Sequence, residues 1–216
     1  MTGLIVATFV AAALIIVWGV LVTRRESLRR LAMLDGVMDR FPDAHRSRSP
    51  WRYPRIDATL DGSPIRLDLI PDTMVRKDVP SMWGEIRWQR SHPAALYVTV
   101  DPKGAEYLPD CDIHQRPDLP APSHWPPRTH VCGDAPIAAD LLDRLDDLDL
   151  AAFPRLKQLA ITRDDIAVTI RCAKATRRPR LLVPSNDFTT HAVEPAVIDQ
   201  GVRLLEDVEQ RLAGIT

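Results

Sequence analysis

Lysine is scarce in this chain, occurring only at Lys77, Lys103, Lys157 and Lys174, and the other cations are arginines that acidic residues balance to a formal net charge of −1. A nucleic-acid-binding domain usually carries a clear basic excess, so no nucleic-acid partner is expected. Glycine is sparse, at nine residues in 216. Neither a G-x-x-x-x-G-K-[ST] loop nor a G-x-G-x-x-G turn is present to cradle phosphates with backbone N–H groups. A G-x-S-x-G elbow and an H-E-x-x-H pair are missing too. The three cysteines form no C-x-x-C pair, and in a cytoplasmic domain they read as ordinary thiols. With the opposite topology, Cys111 and Cys132 would be the natural disulfide pair. No catalytic residue and no cofactor is assigned, and the balance of features favours a non-enzymatic protein.

What the chain does have is an apolar opening, Leu4 to Val22, with Arg24 and Arg25 the first charges after it. A bilayer core needs roughly 20 apolar residues. The Leu, Ile, Val and Phe side chains of this run together favour insertion by roughly 4 to 7 kcal/mol, outweighing Thr8 and Gly19. A cleaved signal peptide would show a basic n-region and a small-x-small site. Here no Lys or Arg precedes Leu4, and the run ends in Leu-Val-Thr-Arg-Arg. The expectation is an uncleaved signal anchor. Arg24, Arg25, Arg29 and Arg30 all follow the run, so the positive-inside rule puts the N-terminus out and the domain in the cytoplasm, at a bacterial inner membrane. The abundance of Ala, Asp, Pro and Arg over Lys fits a high-GC bacterial source. The same four arginines suit anionic lipid headgroups.

From Gly3 through the apolar run towards an α+β head, about the first forty residues resemble a type IV pilin or pseudopilin. That resemblance implies outward-facing heads and assembly through the helix. The chain departs from the pattern at its uncharged leader, at Thr8 where pilins carry Glu, and in its arginine bias.

Beyond the run, Leu28, Leu31, Leu34, Met38 and Phe41 recur at three- and four-residue steps, an amphipathic helix that either continues the span as a stalk or packs on the domain. His45 to Pro50 reads as a linker. The organisation is therefore a transmembrane helix over 3–22, a juxtamembrane helix and linker over 23–50, and a domain over 51–216. In that domain Ile56 to Leu60, Asp61-Gly62 and Ile65, Leu67 and Leu69 predict a hairpin. Trp83 to Trp88 is a weaker strand pattern; Leu96, Val98 and Val100 make a stronger one. Pro102 to Pro136 reads as a long proline-rich loop, of a kind that is functional or disordered. Ile137, Leu141, Leu142, Leu145 and Leu148 give a helix face, and Leu156 to Ile170 a second hairpin around Arg163-Asp164. Leu181 to Val183 predicts a strand, and Pro195 onwards a closing helix with Ile198, Val202, Leu205, Val208 and Leu212 buried.

The fold class is α+β, a mainly antiparallel sheet with helices on one face. Tyr53-Pro54-Arg55-Ile56 and Phe153-Pro154-Arg155-Leu156 each open a hairpin, which raises two similar halves as a possibility. Candidate ligands are densest in the proline-rich loop. Cys111, His114, His130 and Cys132, with His124 between them, offer a tetrahedral zinc set in unfamiliar spacing, weighed against unrelated histidines in a wet loop. Arg171, Lys174, Arg177, Arg178 and Arg180 form a basic turn suited to a phosphate or lipid headgroup, or a solvated hairpin tip. Asp140, Asp143, Asp146, Asp147 and Asp149 read as a solvated helix face. Three functions follow. The favoured one is a single-pass accessory or assembly factor that binds a membrane-protein partner beside the lipid bilayer. The others are a membrane-tethered metal-dependent enzyme and an anionic-lipid binder through Arg24, Arg25, Arg29, Arg30, Arg177 and Arg178. The sequence leaves oligomeric state open.

Overall fold

The computed structural model describes residues 2–47, 53–71, 81–101, 116–174, 176–178, 185–187 and 192–213, with the side chains of 2–8, 176–178 and 185–187 left out. The chain begins with helix α1 (Thr2–Ala32) and a short helix α2 (Asp35–Met38). Strands β1 (His45–Arg46), β2 (Arg55–Leu60), β3 (Ser63–Pro71), β4 (Ser81–Gln89) and β5 (Leu96–Thr99) follow. Next are β6 (Asp118–Leu119), β7 (His130–Gly133), α3 (Ile137–Arg144) and a 3₁₀ turn at Leu150–Ala152. The chain then forms β8 (Leu156–Ile161), β9 (Asp165–Lys174), β10 (Thr176–Arg178), β11 (Ser185–Asp187) and α4 (Pro195–Leu212). Strands β1 to β9 make one 9-stranded sheet in the order β1-β2-β3-β4-β9-β8-β5-β7-β6, antiparallel at every pairing, while β10 and β11 pair apart.

The α+β architecture with a large antiparallel sheet is as expected, and its local causes are legible. Asp61 and Gly62 both take positive φ, 48° and 74°, the conformation that a two-residue hairpin turn requires. Alternation along β3 sends Ile65, Leu67 and Leu69 into the core and leaves Arg66 exposed. On α4 the predicted stripe Ile198, Val202, Leu205, Val208 and Leu212 is buried throughout, with Pro195 opening the helix. The helix lies close over β4 and β9. A Cβ on Gly201 would stand 2.5 Å from Ile86 Cδ1 and 3.2 Å from Ile170 Cδ1. One core thus joins α2, α3 and α4 to a single face of the sheet, whereas a smaller cluster on the other face holds Ala95, Tyr97, Cys132, Ala160 and Ala167.

Several expectations change. The stripe Leu28-Leu31-Leu34-Met38-Phe41 does not run through one helix, because α1 stops at Ala32 and the phase resets: Leu28 is exposed, whereas Met33, Leu34, Val37 and Phe41 are buried. The residues read as a linker supply the reason. His45 and Arg46 form β1 against β2, and Arg46 donates to Leu31 O at 2.8 Å and pairs with Asp35. Val193 N–H donates to Met33 O at 2.9 Å. Carbonyls that a helix end leaves unsatisfied are thereby bonded by the domain.

The second half of the proline-rich loop is folded: β6 and β7 extend the sheet, and buried Trp125 donates to Leu148 O at 2.8 Å, pinning the segment to the chain that follows α3. Ile137 is exposed although Leu141, Leu142, Leu145 and Leu148 are buried as predicted. The two Pro-Arg motifs open β2 and β8, which are not equivalent in the sheet, since β2 lies beside the short edge strand β1 and β8 lies between β9 and β5. The strand predicted at Leu181 to Val183 falls outside the described residues.

Where β4 ends, the chain is fastened to α4. Arg90 Nε lies 3.3 Å from Glu209 Oε1, and His92 Nε2 lies 3.7 Å from Glu209 Oε2. Burial pushes the His92 imidazole below its usual value, with Arg90 adding to it, and outweighs the pull of Glu209 and Asp165. A depressed native value means that the unfolded chain binds the proton first. Stability is therefore greatest above the ordinary imidazole value near 6.5 and is lost as pH falls below it. We expect the melting temperature of the full chain to fall between pH 7 and 5.5 and the fall to be smaller in His92→Gln; equal falls would remove His92 as the cause.

Candidate functional site

The apolar run lies wholly within α1, and none of its described side chains belongs to the hydrophobic core. From Phe9, 74 % exposed, to Val22, 44 % exposed, every large hydrophobic is open. Outside α1, Ile137 is the only large exposed hydrophobic among the described residues. Among those residues no helix is long and apolar enough to cross a membrane. The described part of the run, Phe9 to Val22, covers about 21 Å at 1.5 Å per residue, and the first eight side chains lie outside it. The transmembrane reading thus lacks structural support over the described residues. Following the run, Arg24, Arg25 and Arg29 are exposed without an ion pair among the described residues. Arg30 instead pairs with Glu26 at 3.0 Å and lies over the Tyr53 ring at 5.2 Å, so it belongs partly to the domain.

Of the zinc candidates, Cys111 and His114 lie outside the described residues. His130 and Cys132 share one face of β7, as their alternation predicted. His130 Nε2 sits 2.9 Å from Asp118 Oδ1, and the Cys132 thiol is fully buried, its pKa raised by that burial and by Asp118. His124 packs edge-on against Trp125 instead of joining them. No group of three or more His, Cys, Asp or Glu able to hold a metal occurs among the described residues. The acidic run on and after α3 is exposed at every position, and Asp147 reaches across to Arg211 at 2.9 Å.

The basic segment takes a different form from the predicted turn. Arg171 and Lys174 lie on β9 itself, Arg177 and Arg178 on β10, where only the backbone is described, and Arg180 falls outside the described residues. Arg171 and Lys174 open into a cavity of about 550 Å³, lined among the described residues also by Arg155, Cys172, Ala173, Ala192 and Glu194. Arg155 is the residue that sequence reading missed, although a signal existed: counting outward from the Arg163-Asp164 turn brings position 155 opposite 171. The structure realises that pairing, with Arg171 N–H donating to Arg155 O at 2.9 Å. Glu194, at the head of α4, takes Arg155 at 3.1 Å. Cys172 faces the core beside Gly84, and burial pushes its thiol up to about 12, which removes it as a nucleophile.

The class that these features define is an α+β domain, an antiparallel sheet covered on one face, extended by a helix with an exposed apolar run. No family model matches the chain, and no curated protein does. Among solved structures it is similar to the mycobacterial trehalose monomycolate transport factor A, with a TM-score of 0.44 and 12 % identity over 84 % of this chain and 80 % of that one.

Proposed function

We propose that this is a single-pass, membrane-anchored accessory protein whose domain binds a membrane-protein partner at the cytoplasmic face of a bacterial inner membrane. The observation that carries the reading is the asymmetry of α1: its apolar side chains from Phe9 to Val22 are exposed, while the residues directly after it, Met33, Leu34 and Val37, are core. Exposed apolar area of this extent costs about 25 cal/mol per Å² in water, and lipid removes that cost. Arg24, Arg25 and Arg29 fall where headgroup phosphates would meet them, which favours the cytoplasmic side. Between Val22 and Ala32 the helix rises about 15 Å. The sheet is therefore held just beyond the headgroups, within reach of the cytoplasmic loops of a neighbouring membrane protein. The test is purification of the full chain from gently solubilised membranes. A stoichiometric integral membrane protein should co-elute; a monodisperse monomer without any partner sinks the accessory role.

A further inference from the structure

We propose that the cavity between the end of β9 and the start of β8 is a phosphate-binding site, in which Arg155, Arg171 and Lys174 hold the anion. The inference does not depend on the anchor.

Three cations and one carboxylate line this cavity among the described residues, and Glu194 is already engaged with Arg155. Arg171 and Lys174 have no ion-pair partner among the described residues. Other arginines of the sheet and of α4 are paired, Arg55 with Asp57 at 3.2 Å and Arg211 with Asp147 at 2.9 Å. The charged lining of a smaller cavity at the opposite end of β3 and β4 is Arg66 and Arg87 with Asp57, Asp164 and Asp165. There Arg66 meets Asp57 at 3.0 Å and Arg87 meets Asp165 at 3.1 Å, so both cations are paired and no positive excess is left. Among the described residues, the contrast leaves positive charge uncompensated at the β9 end.

The backbone is also irregular at this end. On a regular strand, positions 171 and 174 would point to opposite faces. The β4–β9 register shifts between Met82 and Trp83, opposite Arg171 to Ala173, and the β8–β9 register shifts between Leu156 and Gln158. A bulge re-aims side chains, and both cations line one cavity as a result. Arg171 N–H to Arg155 O then brings the third cation from the neighbouring strand.

The chemistry narrows the ligand. Guanidinium groups offer paired N–H donors that match phosphate oxygens, and an ammonium adds a point charge, so a multivalent tetrahedral oxyanion uses all three where a lone carboxylate needs one. The remaining described lining is small, Cys172, Ala173 and Ala192, with no aromatic side chain for a base to stack on. A compact phosphate group fits, whether free or as the headgroup of phosphatidic acid.

The experiment follows the melting temperature of the full chain in neutral-detergent micelles with added inorganic phosphate, against chloride at equal ionic strength. A parallel arm compares zwitterionic nanodiscs with nanodiscs containing phosphatidic acid. Binding to the folded state raises the melting temperature. The Arg171→Gln/Lys174→Gln double variant should melt like the parent without phosphate and bind about tenfold more weakly or worse, as expected for lost charge-assisted hydrogen bonds. Arg24→Gln/Arg25→Gln/Arg29→Gln should keep the response to inorganic phosphate. Should the double variant fail to fold, Lys174→Gln, at an exposed strand end, carries the test alone with a smaller loss. A rise with inorganic phosphate that the variant loses supports a soluble phosphate ligand; a rise only with phosphatidic acid, lost in the variant, supports the lipid source. No rise with either, or an equal rise in the variant, overturns the site.

Discussion

Replacing Trp88 with alanine should destabilise the domain by about 3 to 5 kcal/mol, the range for removing a buried aromatic from a packed core. The side chain is 2 % exposed and points from β4 into the helix-covered face. Its cross-strand neighbours are Ile65 on β3 and Ile166 on β9. Its indole N–H donates to Leu60 O at 3.1 Å, next to the β2–β3 turn, and the Arg90 guanidinium stacks 4.2 Å from the ring centre. The substitution thus opens a cavity between the two hairpins, removes the indole hydrogen bond to Leu60 O and loosens the Arg90–Glu209 link to α4. For a domain of this size the loss corresponds to a fall in melting temperature of about 6 to 20 °C. Trp88→Phe keeps most of the volume and should recover most of it. A fall of only a degree or two in Trp88→Ala would show that β4 does not join the hairpins as described.

The second large effect concerns location. Leu14 and Val17, 65 % and 55 % exposed, lie mid-run on α1 and make no contact with the domain core. Each replacement by arginine adds about 2.5 to 3.5 kcal/mol to the insertion cost at a helix centre. The double variant Leu14→Arg/Val17→Arg therefore cancels the roughly 4 to 7 kcal/mol by which the run favours lipid. The wild-type chain should resist alkaline carbonate extraction from membranes, and the double variant should appear mainly in the soluble fraction with its domain melting unchanged. If both remain in the pellet, the apolar run is not what holds the protein to the membrane.

How much of this was legible in the sequence depended on how many faces each element buries. Helix α4 and strand β3 each bury one face, so the period of their apolar residues survives and both were readable. Strand β4 is central, with Met82, Ile86 and Trp88 buried on one side and Trp83 and Glu85 on the other, and its alternation is correspondingly blurred. Strands β1 and β6 are two residues long and exist only because a partner strand pairs with them. No local pattern marks them. The end of α1 was misread because its stop is set from outside, by Arg46 and Val193, residues distant in sequence. Of the candidate site, Arg171 and Lys174 were read as part of a turn because the bulge that re-aims them is a property of the paired strands. Arg155 required the register of the β8–β9 hairpin before its position opposite Arg171 was evident.

The bonds that close the end of α1 have a mechanical consequence. Arg46 ties Leu31 O to β1, and Val193 ties Met33 O to the approach to α4, so the helix enters the domain as a clamped rod rather than through a swivel. Transmembrane helices tilt by about 20° on average and adjust that angle to bilayer thickness. Were α1 to span a bilayer as proposed, a clamped junction would turn the whole sheet with any such change of angle, and the domain would report bilayer thickness as an orientation.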